Sequence, residues 1–307
     1  MEELKNKILA AAKREGVDLI GFAPRARFEG VEAAHDPFSI FPDGQTVILV
    51  GKRILRGTLR GVEEGTNFGD YTYFGSHWLE DDFLSLACYN VVRAIEDEGF
   101  EAVPIFNNPP ETPPSGVAVK EGLPAPNVFP DFDYAAVACG LGEIGRNGTL
   151  LTPAFGHRQR LQMIITDAVL PASPLLETSI CDGCGKCADA CPLGAISKTE
   201  TDTVTVCGKE MKVATINYDL CRACKNGACV NRLAASARPD RIAALCNRTC
   251  LCHLEEEARL ENKFENGFRQ RDAWSVGGAD AVSTGRNVEA ANVLGGSFSK
   301  DGNRGAR

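Results

Sequence analysis

Apolar residues recur at helical or strand spacing through the first half of the chain, and this pattern predicts its elements. Leu4, Ile8 and Ala12 lie four residues apart, which predicts an amphipathic helix over residues 2–15. A longer apolar stripe predicts a second helix over residues 79–98. Short runs rich in β-branched or aromatic residues predict strands at 18–24, 46–51, 102–106 and 161–167. The second of these runs is apolar throughout, which is typical of a strand buried on both faces.

Two segments lack this periodicity. Residues 107–130 are rich in proline and predict an irregular loop, either a lid or partner loop or a passive insertion. From about residue 266 the chain is rich in Gly, Ser, Asn and charge. Such a composition buries too little apolar surface to offset the entropy of ordering, so the pattern predicts a flexible tail over residues 266–307.

Four cations follow the apolar strand directly: Lys52, Arg53, Arg56 and Arg60. They could hold the carboxylates or phosphates of a ligand, since cations at the end of a central strand are suited to anions. Alternatively, they belong to a solvated loop that Glu63 and Glu64 partly neutralise. The sequence leaves both interpretations open.

The overall composition limits the classes of function. The 307 residues are 44% hydrophobic and 24% charged, which is ordinary for a globular protein. A net charge of −8 argues against nucleic acid as the main partner. No apolar run approaches the length of a membrane span, and the N-terminal residues do not resemble a secretory leader. Thirteen cysteines in such a chain indicate metal-bound thiols in a reducing compartment, so we expect a cytoplasmic protein.

Eleven of the thirteen cysteines lie between Cys181 and Cys252, which confines the metal chemistry to one region. The motif C-x2-C-x2-C-x3-C-P is formed by Cys181, Cys184, Cys187, Cys191 and Pro192. In this spacing three thiolates on a tight loop bind one [4Fe–4S] cluster, and the fourth binds a second cluster. A zinc site usually shows two separated C-x2-C pairs instead.

The second cluster needs three more ligands, and the first needs one more. The spacing assigns the ligands as Cys181, Cys184, Cys187 and Cys250 for one cluster, and as Cys191, Cys221, Cys224 and Cys246 for the other. Cys229 competes with Cys224 because an insertion breaks the usual spacing, and Cys252 competes with Cys250. Cys207 lies in a predicted hairpin between the two halves and is expected to be a spare thiol.

A glycine-rich run precedes the cysteine region. Gly140, Gly142 and Gly145 form a Gly-x-Gly-x-x-Gly pattern, followed by Asn147. A dinucleotide site would need a strand before this run and a helix after it, and the sequence predicts neither with clarity. We therefore expect these four residues to line a flat cofactor, which glycine backbone can approach closely.

The run from Gly140 to Asn147, the segment 150–156, Ile165-Thr166-Asp167 and the two-cluster cysteine set together suggest a family. The chain resembles the epoxyqueuosine reductase and reductive dehalogenase group of cobalamin-dependent iron–sulfur enzymes. The resemblance implies an α+β protein with three parts. These are an α/β, nitroreductase-like domain over residues 1–170 that binds base-off cobalamin, a ferredoxin-like domain over 171–265, and the tail over 266–307. One cluster would then pass electrons to the cobalt.

The chain departs from that family in three ways. The epoxyqueuosine enzymes carry a Val-Asp-x-x-Pro segment with a proposed proton donor, whereas this chain has only Asp131 and Asp133 near the glycine run. Those enzymes often continue into a helical-repeat domain that helps to hold tRNA, whereas the predicted tail ends this chain. Its second cysteine set is also rearranged. These departures indicate a relative with another substrate that could have lost cobalamin.

Three functions remain open from the sequence. The leading hypothesis is an oxidoreductase that passes electrons through two [4Fe–4S] clusters to a reductive site in the N-terminal domain. The acceptor there would be cobalamin, a flavin or a partner's cofactor, and a ferredoxin or flavodoxin would be the electron donor. The alternatives are a ferredoxin-type electron-transfer subunit without its own substrate site, and a structural zinc protein. The sequence assigns neither a substrate, which would be a small molecule, nor catalytic residues.

Overall fold

The computed structural model describes residues 1–274. The α-helices are α1 (Glu2–Arg14), α2 (Arg60–Glu63), α3 (Gly69–Thr72), α4 (Ser85–Glu96), α5 (Phe132–Ala138), α6 (Lys186–Asp189), α7 (Tyr218–Arg222) and α8 (Leu245–Glu256). The strands are β1 (Leu19–Pro24), β2 (Thr46–Arg53), β3 (Ala102–Ile105), β4 (Glu143–Ile144), β5 (Leu150–Leu151), β6 (Gln159–Thr166), β7 (Ile196–Val206) and β8 (Lys209–Ile216). Among these residues, no helix has the length and apolar character needed to cross a bilayer.

A four-stranded sheet of order β1-β2-β6-β3 forms the centre of the N-terminal half, and all its pairings are antiparallel. Its core strand β2 is buried over its first six residues, as the uninterrupted apolar run predicts. Helices α1 and α4 pack on one face of the sheet, and α5 packs on the other. The predicted mixture of helices and strands is therefore confirmed.

The helix expected at 79–98 is longer and of two kinds. A π-helix covers Tyr73–Leu84 and continues directly into α4. A π-helix has i→i+5 backbone hydrogen bonds, and its Leu79 and Leu84 are both buried. An apolar stripe shows that a helix is present, but over so few turns it does not distinguish a π-helix from an α-helix. Cys88 lies in the core against α1, as a small hydrophobic residue.

The cysteine region is built around the hairpin β7–β8, with Cys207 and Gly208 at its turn. Val206 and Met211 from this hairpin lie in the same apolar cluster as β2, β6 and α5. The cysteine region therefore shares a core with the N-terminal half and does not merely follow it along a linker.

The segment at residues 266–274 differs from the predicted tail. Phe268 is buried, and Arg269 forms a two-pronged ion pair with Glu63 at 2.6 and 2.7 Å. Trp274 packs against Phe68, with ring centroids 5.3 Å apart. The sequence pattern missed these contacts because three separate anchors leave no periodic stripe. The rest of the predicted tail, residues 275–307, lies outside the described residues.

The Arg269–Glu63 pair gives a test of this packing. Glu63 is 2% exposed, so Arg269→Met should leave a buried carboxylate without its partner and lower stability by about 3 kcal/mol. The matched control is Arg271→Met, which removes a 2.8 Å pair between half-exposed side chains and should have little effect. Thermal unfolding followed by circular dichroism measures both. Equal melting temperatures for the two variants would contradict this account.

Candidate iron–sulfur centres and the adjoining cavity

The cysteine region contains two small cavities, and each is lined by four cysteines. Cys181, Cys184, Cys187 and Cys250 line the first. Cys191, Cys221, Cys224 and Cys246 line the second. These are the two groups of four that the spacing assigned, and we call them the first and second cysteine sites.

The two sites interlock because two helices contribute to both. On α8, Cys246 and Cys250 are one turn apart, yet Cys246 lines the second site and Cys250 the first. Near α6, Cys187 lines the first site and Cys191 lines the second. This exchange of one ligand in each direction is the arrangement expected of a two-cluster ferredoxin.

The competing cysteines lie elsewhere. Cys229 lines a larger cavity, and its Sγ lies 3.8 Å from the carbonyl of Asp240. Cys252 is 2% exposed and its thiol contacts Glu256 and the Phe268 carbonyl. Cys207 lies in the hairpin turn. None of these thiols lines either cysteine site. The structure therefore favours Cys224 over Cys229, and Cys250 over Cys252, as ligands.

Burial makes these thiols poor anions without metal. It raises the pKa of Cys187 and of Cys224 to about 12 and that of Cys221 to about 11. Binding of iron must therefore displace their protons, and metal affinity is coupled to pH. Backbone amides already point at the sulfurs: Arg146 N–H donates to Cys181 Sγ at 3.4 Å, and Ala195 N–H donates to Cys191 Sγ at 3.2 Å. Such bonds stabilise thiolates and tune a bound cluster.

A buried carboxylate positions the backbone at the start of the cysteine motif, where the first ligand of the first site lies. Glu143 is 3% exposed, and its Oε1 accepts the backbone N–H groups of Ile180 and Cys181, both at 2.7 Å. The ammonium of Lys209 lies 3.0 Å from Oε2. Glu143 thus connects the glycine run, the hairpin and the first ligand in one contact.

A polar chain borders the first site. His253 Nε2 lies 2.7 Å from Asp182 Oδ2, and its Nδ1 lies 3.0 Å from the Lys186 ammonium. Ligand atoms of Asp182, Cys184 and His253 also lie within 4.8 Å of one another. Because Cys184 belongs to the first site, this trio is part of that centre's surroundings.

The glycine run packs closely against other parts of the chain. A Cβ on Gly140 would lie 2.0 Å from the Pro174 carbonyl oxygen, and one on Gly142 would lie 2.0 Å from that of Leu151. A Cβ on Gly145 would lie 2.8 Å from the Leu151 side chain. These glycines permit close packing of backbone against the protein itself, which is one reason for glycine at these positions, and a cofactor-lining role for them stays a prediction. The run follows α5 rather than a strand, and the next elements along the chain are the short strands β4 and β5 rather than a helix. This agrees with the rejection of a dinucleotide site.

Asn147 does lie at the centre of the site. Its side-chain amide donates to Asn247 Oδ1, the Asn247 amide donates to the Arg241 carbonyl at 2.8 Å, and Arg241 Nη2 donates to the Asn147 carbonyl at 2.8 Å. All three residues are at most 7% exposed. We call this closed set of hydrogen bonds the Asn–Asn–Arg wall.

The wall separates the cysteine sites from a cavity of about 300 Å³. Asn147 lines the first cysteine site, Arg241 lines the second, and both Arg241 and Asn247 line the cavity. The other sides of the cavity come from the π-helix, the start of α5, β6 and segment 229–242. Arg241 alone therefore lies between the cavity and the second site, whereas the pair Asn147 and Asn247 lies between the cavity and the first site.

Ion pairs connect the segments that line the cavity. Arg160 pairs with Asp240 at 2.6 Å, and Asp240 also accepts the Tyr71 hydroxyl at 2.8 Å. Arg232 reaches across to Glu80 and Asp81 on the π-helix at 3.0 and 2.6 Å. These contacts join the N-terminal half to the segment between the last cysteines.

Sequence reasoning found the cysteines but missed Glu143, Arg241 and Asn247. The one available signal was Glu143, a carboxylate within a run of glycine and aliphatic residues, where burial requires a partner. Arg241 and Asn247 lie between and beside cysteines without any motif. Their role depends on contacts almost a hundred residues away in the chain.

Known proteins share this cysteine region. Residues 175–197 match the family model described as 4Fe-4S binding domain. A tetrachloroethene reductive dehalogenase of Dehalobacter restrictus is 42% identical over 86 residues, which are 27% of this chain and 15% of that protein. An epoxyqueuosine reductase of Bacillus cereus is 25% identical over 224 residues, which are 64% of this chain and 53% of that protein. The chain is related to both groups of enzymes.

This relative of the epoxyqueuosine reductases and reductive dehalogenases spans about half, or less, of the length of those two proteins. A solved epoxyqueuosine reductase, bound to an epoxyqueuosine-modified tRNA-Tyr stem loop, is similar with a TM-score of 0.47 and 18% identity. That likeness covers 86% of this chain and 67% of the solved one. The resemblance to both groups of enzymes that the sequence predicted is confirmed for the segments that match.

The Glu143 contact predicts a graded pair of variants. Glu143→Ala should orphan the buried amides of Ile180 and Cys181 and cost about 2 kcal/mol or more, with loss of iron from the first site. Glu143→Gln keeps an oxygen that can accept both bonds, so its melting temperature and iron content should lie nearer to the parent. Calorimetry and iron analysis under anaerobic conditions measure both. If the alanine variant matched the glutamine variant, Glu143 would not organise the site.

Proposed function

We propose that this chain is an iron–sulfur oxidoreductase with two [4Fe–4S] clusters and a reductive site in the 300 Å³ cavity. The first cluster would be held by Cys181, Cys184, Cys187 and Cys250, and the second by Cys191, Cys221, Cys224 and Cys246. Reduced clusters and free thiols belong in a reducing compartment, which supports a cytoplasmic location.

The observation that carries this proposal is the Asn–Asn–Arg wall. A substrate in the cavity would be separated from the second cluster by Arg241 and from the first by Asn147 and Asn247. Arg241 lines the cavity and the second site together, and its Nη1 has no hydrogen-bond partner among residues 1–274. A cation in this position stabilises negative charge that develops on either side of it.

Two groups in the cavity suit a reduction that consumes protons. Burial, followed by the charge of Asp131, raises the pKa of Asp133 to about 7, so this carboxyl can give up a proton near neutral pH. Burial and the neighbouring Arg158 lower the pKa of His157 to about 3. His157 is thus neutral, and its ring lines the cavity, where a polar substrate would meet it.

The electrons balance in this scheme. Each cluster passes one electron, so the two supply the pair needed to reduce a small substrate. Asp133 supplies one proton, and solvent supplies the second proton and reprotonates Asp133. A ferredoxin or flavodoxin would restore the clusters. The proposal names no substrate beyond a small polar molecule that the cavity can hold.

Cobalamin, which the family resemblance implies, is larger than the cavity volume of about 300 Å³. The cavity is open to solvent on one side, so a part of a corrinoid could lie outside this volume. Residues 109–111 of the proline-rich segment and the ion pairs of Arg160 and Arg232 border the space, and a whole corrinoid would enter only if these contacts opened. No step of the scheme depends on it. The nitroreductase-like character of residues 1–170 stays a prediction.

The electron-transfer subunit remains the second candidate. A carrier needs clusters near its surface, and Cys184 is exposed. An electron carrier does not need a cavity that is lined by a neutral histidine and by a carboxyl of raised pKa. The cavity therefore favours the enzyme.

The two-cluster assignment can be tested by metal analysis after anaerobic reconstitution. The parent protein should hold about eight irons and eight sulfides. Cys224→Ser should reduce iron to about four, whereas the matched variant Cys229→Ser should keep about eight. Four irons in the parent, or loss of iron in Cys229→Ser only, would overturn the assignment. Cobalt measured in a sample reconstituted with cobalamin decides the corrinoid question, since one cobalt per chain would show that the cavity opens.

The raised pKa of Asp133 predicts how stability depends on pH. Folding raises its pKa from 3.8 to about 7, so between these values the folded state holds a proton that the unfolded chain has lost. This contribution to stability is present below about pH 4 and is lost as pH rises through 7. Asp133→Asn should flatten that part of the melting-temperature profile.

Asp131→Asn serves as the control for Asp133. Asparagine still caps α5, where Asp131 accepts the N–H groups of Asp133 and Tyr134, but it removes the neighbouring charge. Because the charge of Asp131 raises the folded-state pKa of Asp133, the decline in stability should then be smaller and should end at lower pH. An unchanged profile in Asp133→Asn would show that its carboxyl has an ordinary pKa.

A further inference from the structure

A second pocket, of about 530 Å³, is lined by five arginines and by no acidic side chain. The arginines are Arg53, Arg56, Arg60, Arg158 and Arg269. The pocket shares no lining residue with the cavity or with the cysteine sites. Three of these arginines belong to, or closely follow, the end of β2, where the sequence left an anion site and a solvated loop as alternatives. The fourth cation of that group, Lys52, instead donates to the carbonyls of Glu15 and Gly16 after α1, both at 2.7 Å.

Arg158 distinguishes this pocket from a solvated basic surface. Its side chain is 1% exposed and donates to the Ile54 carbonyl at 2.8 Å and to Asn262 Oδ1 at 3.0 Å. Its Nε has no hydrogen-bond partner, and no carboxylate lies within 4 Å of it in the described part of the chain. A buried charge without a counter-ion is costly, so this guanidinium is prepared for an anion that the protein does not itself provide.

The protonation of Arg158 agrees with this view. Burial lowers its pKa to about 10, Glu255 opposes the change, and the charges of Arg56 and Arg53 add to it. The guanidinium remains charged at neutral pH. It is nevertheless held close to other cations, whose mutual repulsion a bound anion would relieve.

The other four arginines each have an acidic partner that does not line the pocket. Arg56 pairs with Glu255 at 2.7 Å and Arg269 with Glu63 at 2.6 Å. At the mouth, Arg53 pairs with Asp18 at 3.6 Å and Arg60 with Glu64 at 3.2 Å. Arg158, at the innermost position, is thus the one lining arginine that has no carboxylate within 4 Å in the described residues.

We propose that this pocket binds a phosphoryl group, either as free phosphate or on a small phosphorylated molecule. A guanidinium donates several N–H bonds in fixed directions, which suits a tetrahedral oxyanion with several acceptor oxygens better than a single halide ion. Arg158 Nε is without a partner in the described residues, whereas the terminal nitrogens of Arg56 donate to Glu255 and to the Asn266 carbonyl. The exposed Arg53 and Arg60 would attract the anion to the mouth.

The site would also connect separate parts of the chain. It joins the segment after β2, the start of β6 and residues 262–269. Through Glu255 it reaches α8, which carries Cys246 and Cys250. Binding to the folded state alone raises stability by mass action, so occupation would stabilise the helix that serves both cysteine sites.

The test uses the cluster-loaded full chain. Isothermal titration with inorganic phosphate and with pyrophosphate, at constant ionic strength set by chloride, should show saturable binding of one anion per chain. Arg158→Met, which removes the charge but keeps much of the volume, should weaken binding by roughly tenfold or more. Absence of saturable binding of either anion, or equal affinity in a folded Arg158→Met, would overturn the proposal.

A second variant covers the case in which Arg158→Met does not fold. Arg53→Gln with Arg60→Gln changes only side chains that are about half exposed and should weaken binding several-fold through loss of attraction at the mouth. Arg93→Gln, an exposed arginine on α4, is the control and should leave affinity unchanged. If all three positions affected affinity equally, the binding would reflect net charge alone and the site would be rejected. Pyrophosphate binding more tightly than phosphate would point to a larger phosphorylated ligand, and the reverse order to free phosphate.

Discussion

Two thiols one helical turn apart on α8 serve two different sites, and much of the cysteine region follows from this spacing. Cys246 and Cys250 can line separate cavities only if α8 passes between the two cavities. Helix α6 packs against α8. The same helix supplies Asn247, whose amide closes the wall toward the large cavity. A shift of α8 would therefore change both sites and the cavity together.

Buried polar groups hold this arrangement against the N-terminal half. Three of these groups form hydrogen bonds with segments far away in the sequence: Glu143, Arg241 and Arg160. Polar groups taken out of water must find partners, so these contacts specify the relative position of the parts more narrowly than apolar packing does. Position matters here because electron transfer depends on the distance between donor and acceptor.

The apolar pattern predicted the strands and helices of the N-terminal half well, because burial on a sheet or helix imposes a regular period. Spacing also grouped the eight cysteines as the structure groups them, because a cubane restricts which thiols can share it. The pattern did not predict the π-helix, because its apolar positions differ too little from those of an α-helix over so few turns. It also did not predict the close packing at Gly142, since a glycine that contacts a distant carbonyl looks in sequence like one that contacts a ligand. Asn247 and Arg241 could not be predicted, because their function exists only in the folded contact.

The hairpin β7–β8 has a consequence for how the metal centres are assembled. It lies between the two groups of cysteines in the chain, and its Val206 and Met211 are part of the N-terminal core. That core therefore holds both groups of thiols near each other through apolar contacts that involve no metal. The shape of the two cysteine sites thus depends on how well the N-terminal sheet is packed, and not on iron alone.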